Sequence, residues 1–506
     1  MDNQLWGIIT ISLCVLGYLR SWKFQRKESW TIALCLLMTC GLLLRVFTSC
    51  DFFLHIWDER FHALVAKNMI HHLLKPALYD HPVLPFDYKN WTSNHIWLSK
   101  PPLALWLISA SIYLFGNNEI AIRIPSIIVS TSCILLTYKI AKALFNKRIA
   151  WLAAFLNSIH GLLIETAAGR VSSDLVETVF IFFVELGVLF AVLSIQNKKK
   201  PLFWMTLCGL AIGFSLLSKW LPGLIVLPIW LFYAYSYPGY PKNNLLKGVA
   251  FLFGMTMLVA LPWFIFIRMQ YSRAAEAMFK GIFIPLFESI QGHHGSIWYY
   301  LNKIRMVYGE IIYLPLCWLL FWVFKNNRKM AQQGSLRLLS VWIFIPLIIF
   351  SFAETKRFIY LLICAPAMFM LTAILFYEVA NIKIYRKYSW LFHIIMFLLI
   401  ALPIRYSIER IKPFKKTNRN PDWAIALRDF KPKKAHHMVL FNYSRPIAAM
   451  FYTNLVAVYP LIPNQKDINK LNSEGYSVLI NSPSNNIPQS IKELQNVIIV
   501  HLVEQK

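Results

Sequence analysis

Twelve apolar runs divide the chain, at about residues 5–19, 30–49, 121–141, 150–168, 175–195, 202–218, 221–237, 248–267, 306–324, 337–353, 358–379 and 388–404. Most approach the ~20 residues that a helix needs to cross a hydrocarbon core of ~30 Å. Basic clusters follow alternate runs: Arg20 to Lys27, Lys142 to Arg148, Lys198-Lys199-Lys200, Lys242 to Lys247, Lys325 to Lys329 and Lys383 to Lys387. Lys and Arg concentrate in cytoplasmic loops, so all six clusters belong on one side. The opposite side then holds residues 50–120, 169–174, the turn around 219, 268–305, 354–357 and everything after 405.

One apolar stretch breaks the pattern. Pro101 to Gly116 is too short to cross comfortably, and as a span it would move the Lys142–Arg148 cluster outside. Its two leading prolines suit a helix N-terminus, and Gly116-Asn117-Asn118 stops it. It reads as a helix at the outer surface. The stretch from Asp58 reads likewise, with Phe61, Leu64, Val65 and Met69 on one helical face.

After residue 405 charge rises and apolar runs shorten. Strand-like pieces (His437–Phe441, Val456–Tyr459, Tyr476–Ile480, Val497–Leu502) alternate with helix-like pieces (Asp422–Asp429, Arg445–Tyr452, Lys466–Leu471, Ile487–Leu494). Such alternation predicts a small α/β unit with a parallel sheet. The expected architecture is an all-α polytopic membrane protein of about 11–13 transmembrane helices, with juxtamembrane helices in the outer loop 50–120, plus a small C-terminal α/β domain. The expected division is a transmembrane domain over 1–404 and an extracytoplasmic domain over 405–506.

Composition removes other classes. Of 506 residues 57% are hydrophobic, far from a soluble domain. The net charge of +27 would suggest nucleic acid in a soluble protein, but here the cations sit in short clusters between apolar runs, so no nucleic-acid partner is expected. The eight cysteines form no CxxC pair and read as apolar packing residues. The uncharged start MDNQ, with no small-residue cleavage site after the first run, predicts that this run is retained.

Acids are scarce, 24 in all, and several sit beside apolar runs on the outer side. Asp58 and Glu59 open the first loop; Asp174 closes Gly169-Arg170-Val171-Ser172-Ser173; Glu354 precedes Lys356-Arg357 and Tyr360. Lys219 lies between two runs, and Lys100 opens the second surface helix. Acids near an apolar boundary can act as general bases, and lysines and arginines there can hold a phosphate leaving group. Each residue has a plainer reading. Asp58 and Asp174 can cap helices, and Lys100, Lys219 and Lys356 can be snorkelling anchors. Glu185 and His160, deeper in their runs, read as packed or water-linked groups. His293-His294 are adjacent and make poor chelators. Two sequons, Asn90-Trp91-Thr92 and Asn442-Tyr443-Ser444, carry little weight.

The same residues carry a resemblance. DERFHALVAKNM (58–69) and SKPPLALWLISASIYLFGNNEIAIRIPS (99–126) resemble the opening of polyprenyl-phosphate-sugar-dependent glycosyltransferases of the GT-C superfamily. The pattern is similar to the lipid A aminoarabinose transferases and to protein mannosyltransferase-like bacterial enzymes. Phe115-Gly116, Ala121, Arg123, Pro125 and Ser126 match; GRVSSD ending in Asp174, LLSKWLPG around Lys219, LPWF at 261–264 and the stretch with Lys356 and Tyr360 resemble later motifs. The likeness spans most of residues 50–370. Three positions depart: Ser99 stands where an acid precedes Lys-Pro-Pro, Phe61 stands where Asp-Glu-x-Arg has its Arg, and 268–300 lacks a clear His-x-x-Arg.

The resemblance implies a multi-pass enzyme of the bacterial inner membrane with its active site outside. The donor would be a polyprenyl-phosphate sugar entering from the lipid, and the acceptor a lipid, glycan or protein, glycosylated with inversion. Asp58, Glu59 and Asp174 would be the catalytic acids, with Asp58 as base or acceptor-orienting group. Lys100, Arg170, Lys219, Lys356, Arg357 and Tyr360 would hold the donor phosphate. No metal ligand is assigned, although a divalent metal is left open. A transporter or flippase of a lipid-linked sugar is the rival reading; it should show paired halves with charges at mid-membrane.

Overall fold

The computed structural model describes residues 3–85, 94–172, 175–290, 292–325, 330–380, 389–482, 487–492, 494 and 497–503. Among them, nine helices are long and apolar enough to cross a membrane: Asn3–Arg26, Trp30–Ser49, Glu119–Leu144, Leu175–Gln196, Pro201–Lys219, Lys242–Gln270, Gln333–Phe352, Phe358–Ala380 and Trp390–Ile411. The apolar run at 150–168 is broken. Lys147–Ile159 and Gly161–Ala167 meet at 53°. The break is built by His160, whose Nδ1 accepts from the Leu163 amide (3.4 Å) while Nε2 donates to the Val307 carbonyl (2.9 Å). The ring thus caps a new helix in mid-run. Leu221–Ser236 and Glu310–Val323 are shorter apolar helices, each opened by a 3₁₀ turn. The chain is a multi-pass membrane protein.

Phe358–Ala380 lies at the centre of the bundle, whereas Asn3–Arg26 and Trp390–Ile411 expose most of their surface. Trp390–Ile411 runs past the expected boundary at 404, so the α/β unit begins later than composition suggested. Between the spans lies a polar layer. Thr137 Oγ1 donates to Glu185 (2.9 Å), Asn157 Nδ2 donates to Thr137 (2.9 Å), and Arg45 Nε donates to Ser130 (2.7 Å).

Between the second and third spans the two expected helices form, at Asp58–Asn68 and Leu103–Phe115. Gly116, at φ +84°, ends the second where a side chain would be strained. The apolar face of the Asp58 helix is covered by protein. Phe61, Leu64, Val65 and Met69 are buried in one core with Leu105 and Ile108 and with the C-terminal strands.

Those strands are β1 (Met438–Phe441), β2 (Ala457–Tyr459), β3 (Ser477–Asn481) and β4 (Val497–Val500). They pair in parallel in the order β2-β1-β3-β4, with Val439 beside Ala457 and Leu440 beside Leu479. Helices Asp422–Asp429, Pro446–Tyr452 and Gln465–Ser473 accompany them. Lys67 fastens this unit to the outer loop. Its ammonium donates to the carbonyls of Met450 (2.9 Å), Phe451 (2.8 Å) and Thr453 (3.1 Å) at the end of the Pro446 helix. Burial there pulls its pKa down to about 8.

Candidate active site

The floor of the site is an ion cluster that sequence reasoning did not foresee. Glu59 is fully buried, and Arg123 grips its two oxygens through Nε (2.7 Å) and Nη2 (3.0 Å). His55 adds its amide (2.7 Å) and Nδ1 (2.6 Å) on Oε2. Burial pushes the Glu59 pKa up, but the charges of Arg123 and His55 outweigh it and hold the group at about 2. The His55 ring reaches Asp51 with Nε2 (3.2 Å). Burial disfavours the imidazolium, but the charge of Glu59 and the bonds to both carboxylates win, so its pKa is raised. Asp51 also takes Arg170 (2.7 and 3.1 Å) and has Arg419 at 3.5 Å. Gly169, at φ +73°, lies against this floor; a Cβ there would come within 2.2 Å of Glu59 Oε1.

Two expected site residues therefore belong to the floor. Glu59 has both oxygens engaged and no exposed surface, so a substrate does not reach it. Arg170, expected on a donor phosphate, is committed to Asp51 and to the Ile411 carbonyl (3.3 Å). Asp51, His55 and Arg123 were missed as site residues. An arginine inside an apolar run was the available signal for Arg123.

Asp58 faces the other way. It opens its helix one residue before Glu59, and helical geometry turns successive side chains by about 100°. Its carboxylate lies 3.8 Å from the Lys100 ammonium, and both side chains keep about a quarter of their surface exposed (26% and 23%). Ser99, next to Lys100, accepts from Trp220 Nε1 at 3.4 Å. Trp220 holds φ +55°, a left-handed conformation costly for a bulky residue. It stacks on Phe264 with centroids 5.3 Å apart. That contact joins the Asp58–Lys100 pair to Lys219. The Lys219 ammonium bonds Glu177 and lies 5.0 Å from the Tyr360 ring centre and 5.7 Å from Phe180. Glu177 was missed, though it sits in the first turn of a span.

Lys356 is nearly buried, and its ammonium bonds the Ala353 carbonyl. Pro285, His293 and Gly295 lie over it: Thr355 N bonds Pro285 O (2.9 Å), Lys356 N bonds His293 O (2.8 Å), and a Cβ on Gly295 would meet Lys356 Cδ at 3.3 Å. Arg357 is half-buried, and its amide donates to the Tyr300 hydroxyl (3.2 Å). Burial and then Arg357 lower the pKa of His293. The structure thus brings Asp58 to Lys100, and Lys219 to Tyr360. Asp174 and the sequon at Asn90 lie outside the described residues. Among the described residues no three His, Cys, Asp or Glu side chains are grouped to hold a metal ion. Ser99 in place of an acid supplies a hydroxyl and not a carboxylate beside Lys100.

Comparison with known proteins fits this arrangement. Residues 99–266 match the family model described as dolichyl-phosphate-mannose-protein mannosyltransferase. A solved structure of ArnT from Cupriavidus metallidurans in the apo state superposes over 89% of both chains with a TM-score of 0.60, at 14% identity. The chain has the GT-C fold. The GT-C architecture extends to the archaeal oligosaccharyltransferase AglB from Archaeoglobus fulgidus, solved with an inhibitory peptide and a dolichol-phosphate. It covers 89% of this chain and 69% of its own, with a TM-score of 0.58 at 13% identity. Among curated relatives, an undecaprenyl phosphate-alpha-4-amino-4-deoxy-L-arabinose arabinosyl transferase of Pseudomonas paraeruginosa is 26% identical over 352 residues, 67% of this chain and 58% of its own length. One from Pseudomonas fluorescens is 26% identical over 287 residues, 54% of this chain and 50% of its own. The chain spans about half the length of the curated relatives it matches. The GT-C resemblance read from the motifs therefore stands.

Proposed function

We propose that this protein is an integral-membrane glycosyltransferase that moves a sugar from a polyprenyl-phosphate donor to an extracytoplasmic acceptor, with inversion. The observation that carries the reading is the half-open Asp58–Lys100 pair, joined through Ser99 and Trp220 to the Lys219–Tyr360 contact. An acid and a cation at the edge of an apolar bundle suit a reaction in which an acceptor loses a proton while a phosphate gains charge. The names of the relatives, which specify undecaprenyl phosphate sugars, support the donor class.

In this mechanism an acceptor oxygen attacks the anomeric carbon as the bond from that carbon to the donor phosphate oxygen breaks. Asp58 orients the acceptor and takes its proton. Lys100 neutralises the departing lipid phosphate, with Lys219 and Arg357 as further cations. Lys356 remains a further candidate cation in this reading. Asp174 remains a second acid in this reading, while Glu59 and Arg170 hold the floor rigid. We place the protein in the bacterial inner membrane, with residues 50–120 and the unit after Ile411 outside the cytoplasm. The six basic clusters support that orientation.

The test is single-turnover sugar transfer from a purified polyprenyl-phosphate donor, beside a thermal-stability check. Asp58→Asn keeps size and capping ability. Transfer to a hydroxyl acceptor should fall ~10²–10⁴-fold in a stable protein. Near-wild-type transfer to such an acceptor would remove Asp58 from the mechanism.

A further inference from the structure

Two arginines stand together where the outer loop meets the C-terminal sheet, and the transfer scheme above uses neither. Arg60 lies on the Asp58 helix and Arg445 caps the start of the Pro446–Tyr452 helix. The latch at Lys67 fixes how these helices lie. Lys67 reaches the carbonyls at the far end of the Pro446 helix. Arg60 is two helical turns before Lys67, and Arg445 about two turns before those carbonyls. The two helices pack against each other, and Arg445 lies near enough for its charge to act on Arg60.

The surroundings leave these cations under-compensated. Burial and the charge of Arg445 both disfavour the Arg60 cation, and Asp58 opposes them. Asp58 is shared with Lys100 at 3.8 Å. The Nε atoms of Arg60 and of Arg445 are both shielded from solvent and have no hydrogen-bond partner among the described residues. What holds each guanidinium is an aromatic face: Phe61 for Arg60, at 5.0 Å, and Trp423 for Arg445, at 4.4 Å. Stacking fixes the plane of a guanidinium and leaves its edge donors free for a planar or tetrahedral oxyanion.

We propose that Arg60 and Arg445 form a phosphoryl-binding site at this seam, and that it seats the phosphate of an anionic acceptor. The acceptor role rests on the transferase reading; the binding of phosphate does not. Two guanidiniums answer the two or more oxygens of a phosphoryl group with charge-assisted, bidentate bonds. Their mutual repulsion is relieved when the anion arrives. The site also gives the C-terminal unit a task, since one of its two cations comes from that unit and the other from the helix bearing Asp58.

The experiment measures thermal unfolding of the full chain in detergent, titrated with inorganic phosphate against chloride at equal ionic strength. A parallel series uses mixed micelles of phosphatidate against phosphatidylcholine. A stabilisation by inorganic phosphate indicates that the phosphoryl group suffices, and one by phosphatidate alone indicates a lipid-borne phosphate; either supports the site. Arg60→Gln or Arg445→Gln should each weaken the apparent affinity of this site about ten-fold or more, and the double variant should remove its share of the shift, leaving only what the cations around Lys100 bind. If one variant fails to fold, the other carries the test, and Arg60→Lys should restore only part of the affinity because the fork is lost. No stabilisation of the wild type, or one that the double variant leaves unchanged, overturns the proposal. Phosphate binding at this seam without any sugar transfer would retire the transferase reading and leave the site standing.

Discussion

Replacing Glu59 by Gln removes one charge from the floor of the site and almost nothing else. The gap between its usual pKa of 4.5 and its value of about 2 corresponds to ~3 kcal/mol of stabilisation at neutral pH. Arg123 and His55 would also be left buried beside a neutral amide, and breaking a buried pair typically costs ~3–5 kcal/mol. The loss should be local, because the spans keep their own packing. Hydrogen exchange of the amides in residues 53–69 is the direct assay; they should open ~10²-fold or more faster in Glu59→Gln. The pH dependence supplies a second arm. The Glu59 contribution is complete above pH 4.5 and disappears as pH falls through about 2. That of His55, whose pKa is raised, is complete below 6.5 and fades as pH rises through its folded-state value. Mild alkali should therefore loosen residues 53–69 while mild acid down to pH 4.5 should not, and His55→Gln should erase the alkaline effect. Unchanged exchange in Glu59→Gln combined with lost sugar transfer would refute this reasoning and return Glu59 to the chemistry.

Three further outcomes are expected. Lys100→Ala should lower kcat/KM for a polyprenyl-phosphate donor by roughly ten- to a hundred-fold, the value of a charge-assisted bond; unchanged kinetics with purified donor would reduce Lys100 to an interfacial anchor. Lys219→Met should take the ammonium from the nearly buried Glu177 carboxylate, lowering thermal stability, and Glu177→Gln in the same chain should recover part of the loss, as a double-mutant cycle in detergent would reveal. A cysteine placed at exposed position 465, with Cys35 and Cys317 replaced, should react with an impermeant maleimide in intact cells; reaction only after permeabilisation would invert the topology.

Much of the architecture could be read from the chain because the bilayer imposes a length and the sheet imposes an alternation. The helix at Asp422–Asp429 and the strands at 438–441 and 477–481 fall within a residue or two of their expected places, since Gly, Pro and Asn mark their ends. The break at His160 was hidden, because the run from 150 to 168 stays apolar and the cap is a ring nitrogen from inside it. The site was legible only in its exposed half. Asp58 and Lys100 announce themselves as charges at the ends of apolar stretches. The floor does not, because Asp51, His55, Glu59, Arg123, Arg170 and Arg419 come from four separate stretches of chain, and nothing local reveals that they neutralise one another. Arg170 illustrates the consequence: adjacent in sequence to a suspected acid loop, it was read as a ligand for phosphate, whereas Asp51 already claims it.

Arg419 adds something to that floor which concerns synthesis and not catalysis. It donates to Asn3 Oδ1 (2.6 Å) in the first span and to the Phe47 carbonyl (2.6 Å) at the end of the second, and stands beside Asp51. The residue itself follows the last span. During insertion the first two helices can pair early, through Ser21 and Ala33, but the clasp from Arg419 to Asn3 forms only after the last span has been threaded. An unfinished copy has Asp51 short of one guanidinium and Asn3 without that partner. Completion of the chain is thereby written into the ion cluster around Asp51.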